Sequence, residues 1–234
     1  MNIFYAPPEQ IQPDHIELTG QEAIHAAKAL RYRQGDAITV VNGLGGWHEG
    51  KILSIHKKTV HIHVEKVSQQ DRQQPSIVLA MGIIKKRARL EFAVEKATEL
   101  GVQEIALFRG QHTVKQNVRM DRLAMTAIAA MKQSLQSWLP DIRLFHSLKD
   151  LIKAYPERKI LAGHQKGEPL VQQDALQKST NNYLLLVGPE GGFSDEELTR
   201  IEQEGKLVSL NPNRLRAETA AISLLNGFRI LTTS

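Results

Sequence analysis

Three glycines within five residues, Gly188, Gly191 and Gly192, interrupt an apolar run near the C-terminal end of the 234-residue chain. The run is Tyr183-Leu-Leu-Leu-Val187, and Phe-Ser-Asp-Glu-Glu197 follows the glycines. A strand that breaks into glycines and then opens a helix is where α/β proteins bind small molecules. The layout recurs at Val208–Leu210, where the turn Asn211-Pro-Asn213 precedes a helical period over Glu218–Phe228, with Ala220, Leu224 and Phe228 on one face. Two such turns can face one ligand.

The first turn narrows the ligand class. It lacks the Lys-Ser/Thr of a P-loop and the spacing of a dinucleotide fingerprint. Ser194 reads as an N-cap, and Glu197 completes a capping box. Asp195, Glu196 and Glu197 would repel a phosphate and tolerate a cation, although acids in a first turn also suit the helix dipole.

Composition sets the frame. No cysteine is present, which removes a disulfide framework, a thiolate metal site and a cysteine nucleophile. With 41% hydrophobic residues, the chain can bury one large core or two modest ones. No apolar run approaches a bilayer span, and Met1–Pro8 has no basic region followed by an apolar one. The expectation is a cytoplasmic protein without a membrane partner. The net charge of +5 and pI near 9.4 favour a polyanion. Residues 1–70 hold seven basic and seven acidic side chains, so the surplus lies beyond them, densest at Lys85-Lys-Arg-Ala-Arg89. Six of nine histidines fall in residues 1–70, but no third ligand joins His61 and His63 at a recognisable spacing, so no metal is expected.

These elements imply two domains joined by the polar segment Ser68–Pro75. Before it, strands at Ile3–Tyr5, Ala37–Val41, Trp47–Ile55 and Thr59–Val67, with a helix at Gln21–Leu30, suit a small barrel-like domain. After it, strands and helices alternate from Ile77 to Phe228, which predicts a largely parallel sheet covered by helices. Trp47 and Trp138 read as packing residues.

Gly188-Pro-Glu-Gly-Gly192 and Leu215-Arg-Ala-Glu-Thr219 resemble the SPOUT methyltransferases, and more narrowly the 16S ribosomal RNA uridine-N3 methyltransferase family, RsmE. His25–Asp36 is similar to that family's N-terminal motif, and Arg89-Leu-Glu-Phe with Glu95–Val102 to its next one. The resemblance implies an α/β fold in which a PUA-like RNA-binding domain over residues 1–70, a small β-barrel, precedes a SPOUT methyltransferase domain over residues 71–234 with a deep trefoil knot. It also implies a homodimer acting on 16S rRNA in the small ribosomal subunit. S-adenosylmethionine would lie against Gly188, Pro189, Glu190, Gly191 and Gly192 and against Leu210, Asn211, Leu215 and Thr219, with Ala162, Gly163 and His164 closing one side. Arg216 would stabilise the uracil anion, and Glu218 would orient the base or accept its proton. Lys28, Arg31 and Arg33, with Lys85, Lys86, Arg87 and Arg89, would contact RNA.

The chain departs from that pattern at Asn211 and Asn213, where the family has Gly and Arg, at Arg214, where it has an aliphatic residue, and at His112, Lys132 and Gln136. Two alternatives stay open: a non-catalytic RNA-binding or ribosome-assembly factor, and a SPOUT enzyme acting on another RNA position.

Overall fold

The computed structural model describes residues 2–113, 117–173 and 182–233. The chain forms two compact units, Met1–Arg72 with Ile128–Leu139, and Gln73–Ala127 with Pro140–Ser234. Ile128–Leu139 groups with the first unit although it lies within the span expected for the second domain.

In the first unit, β1 (Ile3–Tyr5), β2 (His15–Thr19), β3 (Ala37–Val41), β4 (Gly46–His56) and β5 (Thr59–Gln69) run in the order β1-β3-β4-β5-β2. Only β1 and β3 are parallel. Alternation turns Ile16, Leu18, Ile38, Val40, Ile52, Val60 and Ile62 onto Phe4 and Ala26. Register shifts at Glu49/Gly50 and Ile52/Ser54 bend β4 and β5 around this core. β2 adds to the expected strands; just two inward apolar residues, Ile16 and Leu18, mark it.

The polar segment Ser68–Pro75 is not a free linker along its length. Ser68 and Gln69 finish β5, and the Gln70 side-chain oxygen accepts from the Ser137 backbone N–H at 3.2 Å and hydroxyl at 2.7 Å. Trp138 Nε1 donates to the Gln70 carbonyl at 2.9 Å, while Arg72 stacks on the indole at 4.7 Å. Its polarity reflects exposure rather than lack of structure.

The expected helix over Gln21–Leu30 is α1 (Gly20–Ile24), which widens into a π-helical turn at His25–Ala29. Tyr32 N–H closes the end by donating to the Ala26 carbonyl at 3.1 Å. Arg31 then adopts φ 56°, the left-handed region that helix ends usually assign to glycine. Such wide turns recur at functional positions. This one leaves Lys28, Arg31 and Arg33 exposed.

The second unit is built from β6 (Ile77–Gly82), α2 (Arg87–Glu99), β7 (Glu104–Phe108), α3 (Met120–Gln133), β8 (Asp141–Phe145), α4 (Leu148–Ala154), β9 (Lys159–Pro169), β10 (Tyr183–Val187), α5 (Asp195–Glu204), β11 (Gly205–Ser209) and α6 (Ala217–Thr233). The last residues of α3 count with the first unit. Its sheet is wholly parallel, in the order β11-β9-β10-β6-β7-β8. Every residue of β6 and β10 is buried, as two covered faces require. Helix α3 stops at Gln133, because Leu135 at φ 54° and a Gln136 N–H bond to the Met131 carbonyl at 3.0 Å reverse the chain.

Helix α6 buries Ala217, Ala221, Leu224, Leu225 and Phe228, and the Phe228 ring meets Tyr183 at 4.6 Å. Ala220, expected on this face, is half-buried, because the stripe is centred one residue later. Near the end of α6, Arg229 donates to the carbonyls of Pro75 at 3.2 Å and Gly101 at 2.8 Å, and burial pulls its pKa down to about 10. Among the described residues, no helix is long and apolar enough to cross a membrane.

A side chain at Arg31 works against its own backbone, since L-residues disfavour the left-handed region by ~1–2 kcal/mol. Arg31→Gly should therefore raise the urea midpoint by up to about 1 kcal/mol of stability, less whatever the freer unfolded chain takes back. A lower midpoint would show that the guanidinium holds the turn together.

Candidate functional site

Register brings the site together. β10 pairs Val187 with Met81 of β6 on one side and with Gly163 of β9 on the other, so β6 and β10 end beside the middle of β9. Chain order reverses between β6 and β10, and crevices at such switch points hold ligands in open α/β sheets. β11 pairs Leu207 with Ala162 but Val208 with Glu168, which leaves residues 163–167 without a partner across that ladder. They bow out beside the strand ends.

The result is one cleft of about 490 Å³. It is lined by Gly163, His164 and Gln165 of the bowed segment, by Val187–Glu190, Gly192 and Phe193 after β10, and by Leu210, Asn211, Asn213–Ala217 and Ala220 after β11. Arg89 of α2 completes the wall. Gly192 has φ 77°, which explains one glycine by conformation. Gly191 is explained by close approach, since a Cβ there would lie 2.8 Å from the Cβ of His112.

Glu197 holds this loop from behind. Ser194 caps α5 through the capping box, its Oγ accepting from Glu197 N–H at 3.2 Å while Glu197 Oε2 accepts from Ser194 N–H at 2.9 Å. The other Glu197 oxygen accepts from Gln111 N–H at 3.2 Å, and the Gln111 amide donates to Glu196 at 2.9 Å. Glu196 and Glu197 are therefore committed to the residues after β7 instead of facing a ligand. Sequence reading finds the capping box but not this second bond, made 86 residues away.

Charge divides the cleft. Arg89 bridges both loops, with Nη1 at 3.7 Å from Glu190 and Nε at 3.4 Å from Glu218. Glu190 also accepts from Lys85 N–H at 2.9 Å, which ties the loop after β6 to the loop after β10. Glu218 is 6% exposed, and its Oε2 has no hydrogen-bond partner among the described residues. Arg216 is exposed at the rim. His164 Nδ1 accepts from Lys166 N–H at 3.3 Å, so the neutral ring carries its proton on Nε2. Burial first, and then Lys166, lower the His164 pKa, and Glu202 opposes them.

The residues singled out by sequence distribute as follows. Gly163, His164, Gly188, Pro189, Glu190, Gly192, Leu210, Asn211, Leu215 and Arg216 line the cleft. Ala162 instead lies in the core under it, Gly191 packs on His112, Glu218 is buried behind Arg89, and Thr219 points outward, exposed on α6. Lys85, Lys86 and Arg87 are exposed where α2 begins, a helix with no acid in its first turn. Cations there oppose the dipole, an arrangement that an incoming phosphate relieves. Arg89 belongs to the cleft rather than to that exposed group. Among the described residues, no group of three acidic or histidine side chains could hold a metal ion. His48 is a buried core residue whose pKa is lowered by burial.

Glu197→Gln swaps an acceptor for a donor against Ser194 or Gln111 and should destabilise the second unit by about 1–3 kcal/mol. Amide exchange at Ser194 and Gln111 should accelerate with it; unchanged protection at both would remove Glu197 from this role.

With this geometry in view, comparison with known proteins places the chain. Residues 71–228 match the RNA methyltransferase domain family, and residues 18–65 match the RNA methyltransferase PUA domain. Ribosomal RNA small subunit methyltransferase E of Rickettsia conorii is 29% identical, covering 98% of this chain and 96% of that protein. The protein of the same name from Aquifex aeolicus is 30% identical over 76% of this chain and 81% of its own length. A probable rRNA methyltransferase from Porphyromonas gingivalis superposes with a TM-score of 0.89 at 27% identity, covering 100% of this chain and 99% of its own. A methyltransferase from Legionella pneumophila, solved with bound S-adenosylmethionine, gives 0.86 at 28% identity over 97% and 96%. An α/β chain with a PUA-like N-terminal domain, a parallel-sheet methyltransferase domain and relatives aligned along nearly its full length, it belongs to the RNA methyltransferase family that includes ribosomal RNA small subunit methyltransferase E.

Proposed function

We propose that this chain transfers a methyl group from S-adenosylmethionine to N3 of a uridine in the 16S ribosomal RNA of the small subunit. The observation that carries the reading is the cleft lined by both glycine- and asparagine-bearing loops, which follow β10 and β11 on either side of β9. Its volume of about 490 Å³ suits a nucleoside-sized ligand. Backbone forms much of the wall, and the Glu190 carboxylate does not oppose a cation. His164, neutral at pH 7, does not oppose one either.

The donor, when bound, supplies a methyl group on a positively charged sulfur. Everything else falls to the protein's side chains. The backbone of Gly188–Gly192 and of Leu210–Leu215 would hold and orient the donor, and positioning of two reactants supplies much of such a rate. Arg216, exposed at the cleft rim, would stabilise the charge that a uracil carbonyl gains as N3 loses its proton. Glu218, paired with Arg89 through one oxygen and buried behind it, would orient the base or take that proton once its second oxygen is reached.

Exposed Lys28, Arg31 and Arg33 in the N-terminal unit, and Lys85, Lys86 and Arg87 before and within the first turn of α2, would bind the RNA backbone. The SPOUT-type knot and the homodimer belong to the same proposal. Gly227 of α6 packs against Leu170, which follows β9, a contact in keeping with a threaded C-terminal helix. Exposed Val171 and Ile230 nearby offer apolar surface for a second copy.

Undermethylated small subunits incubated with labelled donor should acquire label at one uridine N3, located by mapping the modified nucleotide. Label elsewhere would point to another RNA position, and failure to bind donor in calorimetry would point to a non-catalytic assembly factor. Arg216→Ala should bind donor as tightly as the parent protein and turn over about 10²–10³ times more slowly. Undiminished turnover would remove Arg216 from the reaction.

A further inference from the structure

We propose that Arg214 is a second guanidinium for the RNA strand, acting with Arg216 to hold a phosphodiester beside the reacting base. This rests on the reading of the cleft as an RNA methyl-transfer site. The pattern that the chain resembles assigns Arg214 no role, because an aliphatic residue usually stands there.

Local geometry creates the pair. The residues from Asn213 to Arg216 lie between β11 and α6, outside regular structure. Asn211 Oδ1 accepts from Asn213 N–H at 2.9 Å, a side-chain-closed turn that sets the entry of the segment. Beyond it, Leu215 is half-buried while Arg214 and Arg216 are exposed, and all three line the cleft.

The charge environment then distinguishes these two arginines from Arg89. Arg89 is compensated by two carboxylates. Neither the Arg214 nor the Arg216 guanidinium forms a hydrogen bond or ion pair among the described residues. Two uncompensated cations two residues apart on one rim repel each other, and an oxyanion between them removes that repulsion. Either an RNA phosphate or the donor's own carboxylate has the required chemistry. Exposure favours the phosphate, because both side chains stand at the mouth, where a polymer passes.

Salt dependence tests the assignment without needing turnover. Each phosphate contact contributes about 0.7 to the slope of log affinity against log salt for a single strand. Binding of the full chain to a short single-stranded oligouridylate should show a slope shallower by ~0.7 for Arg214→Leu and by ~1.4 for the double Arg214→Leu, Arg216→Leu variant. Arg214→Lys should keep the parental slope, which a merely structural role would not predict. Donor affinity, measured by calorimetry with S-adenosylmethionine, should be the same in Arg214→Leu as in the parent. An unchanged slope in Arg214→Leu overturns the proposal, as does a loss confined to donor affinity, which would make the carboxylate the occupant. Absence of donor binding by the parent protein would count instead against the methyl-transfer reading, so the two failures are distinguishable.

Discussion

The ladder of β10 between β6 and β9 is the constraint on which the site depends. A parallel strand has one allowed register per buried pattern, since a slip by one residue would turn its side chains to the opposite face. Leu184–Val187 are apolar on both faces, so neighbours and crossing connections, rather than alternation, fix their register. Once fixed, Met81, Val187 and Gly163 stand side by side across the three strands, and the chain beyond them converges without any contact designed for that purpose. The Arg89, Glu190 and Glu218 bridge acts within this frame. It aligns loops that the sheet has already delivered.

Cations play two roles here. Arg89, and Arg229 at the far end of α6, are internal fasteners whose guanidiniums reach carboxylates or carbonyl oxygens. Lys28, Arg31 and Arg33, Lys86 and Arg87, and the two rim arginines are spread over exposed turns and helix ends. Net charge cannot separate the two classes, and neither can clustering: Arg89 sits in the densest basic run of the chain, yet is spent inside the cleft.

Local patterns in the sequence reveal much of this fold. The apolar run of β10, the capping box of α5 and the strand and helix alternation each rest on neighbouring residues, and all reappear in the structure. Long-range partners are what a single chain hides. Glu197 reads as a cap because Ser194 is three residues away, while Gln111 is not in view. Ile128–Leu139 reads as part of the second domain because nothing local in Ser137 or Trp138 announces Gln70 and Gly45 as their partners. The bowed residues 163–167 similarly need the β11 register to be seen. Within the candidate site, the glycines and Arg216 were legible as types, whereas the burial of Glu218 and Ala162 required the packed fold.

The same sheet order has a temporal side. β6 gains β7 soon after it is made, but its other edge pairs with β10, which begins at Tyr183. During synthesis, a strand buried at every position must wait for more than a hundred residues of further chain before that edge is covered. An open apolar edge is the surface on which nascent chains misassociate, and long-range parallel pairing is slow to form. The strand β6, whose edge the site-forming β10 covers last, is therefore left open during part of the fold's own production.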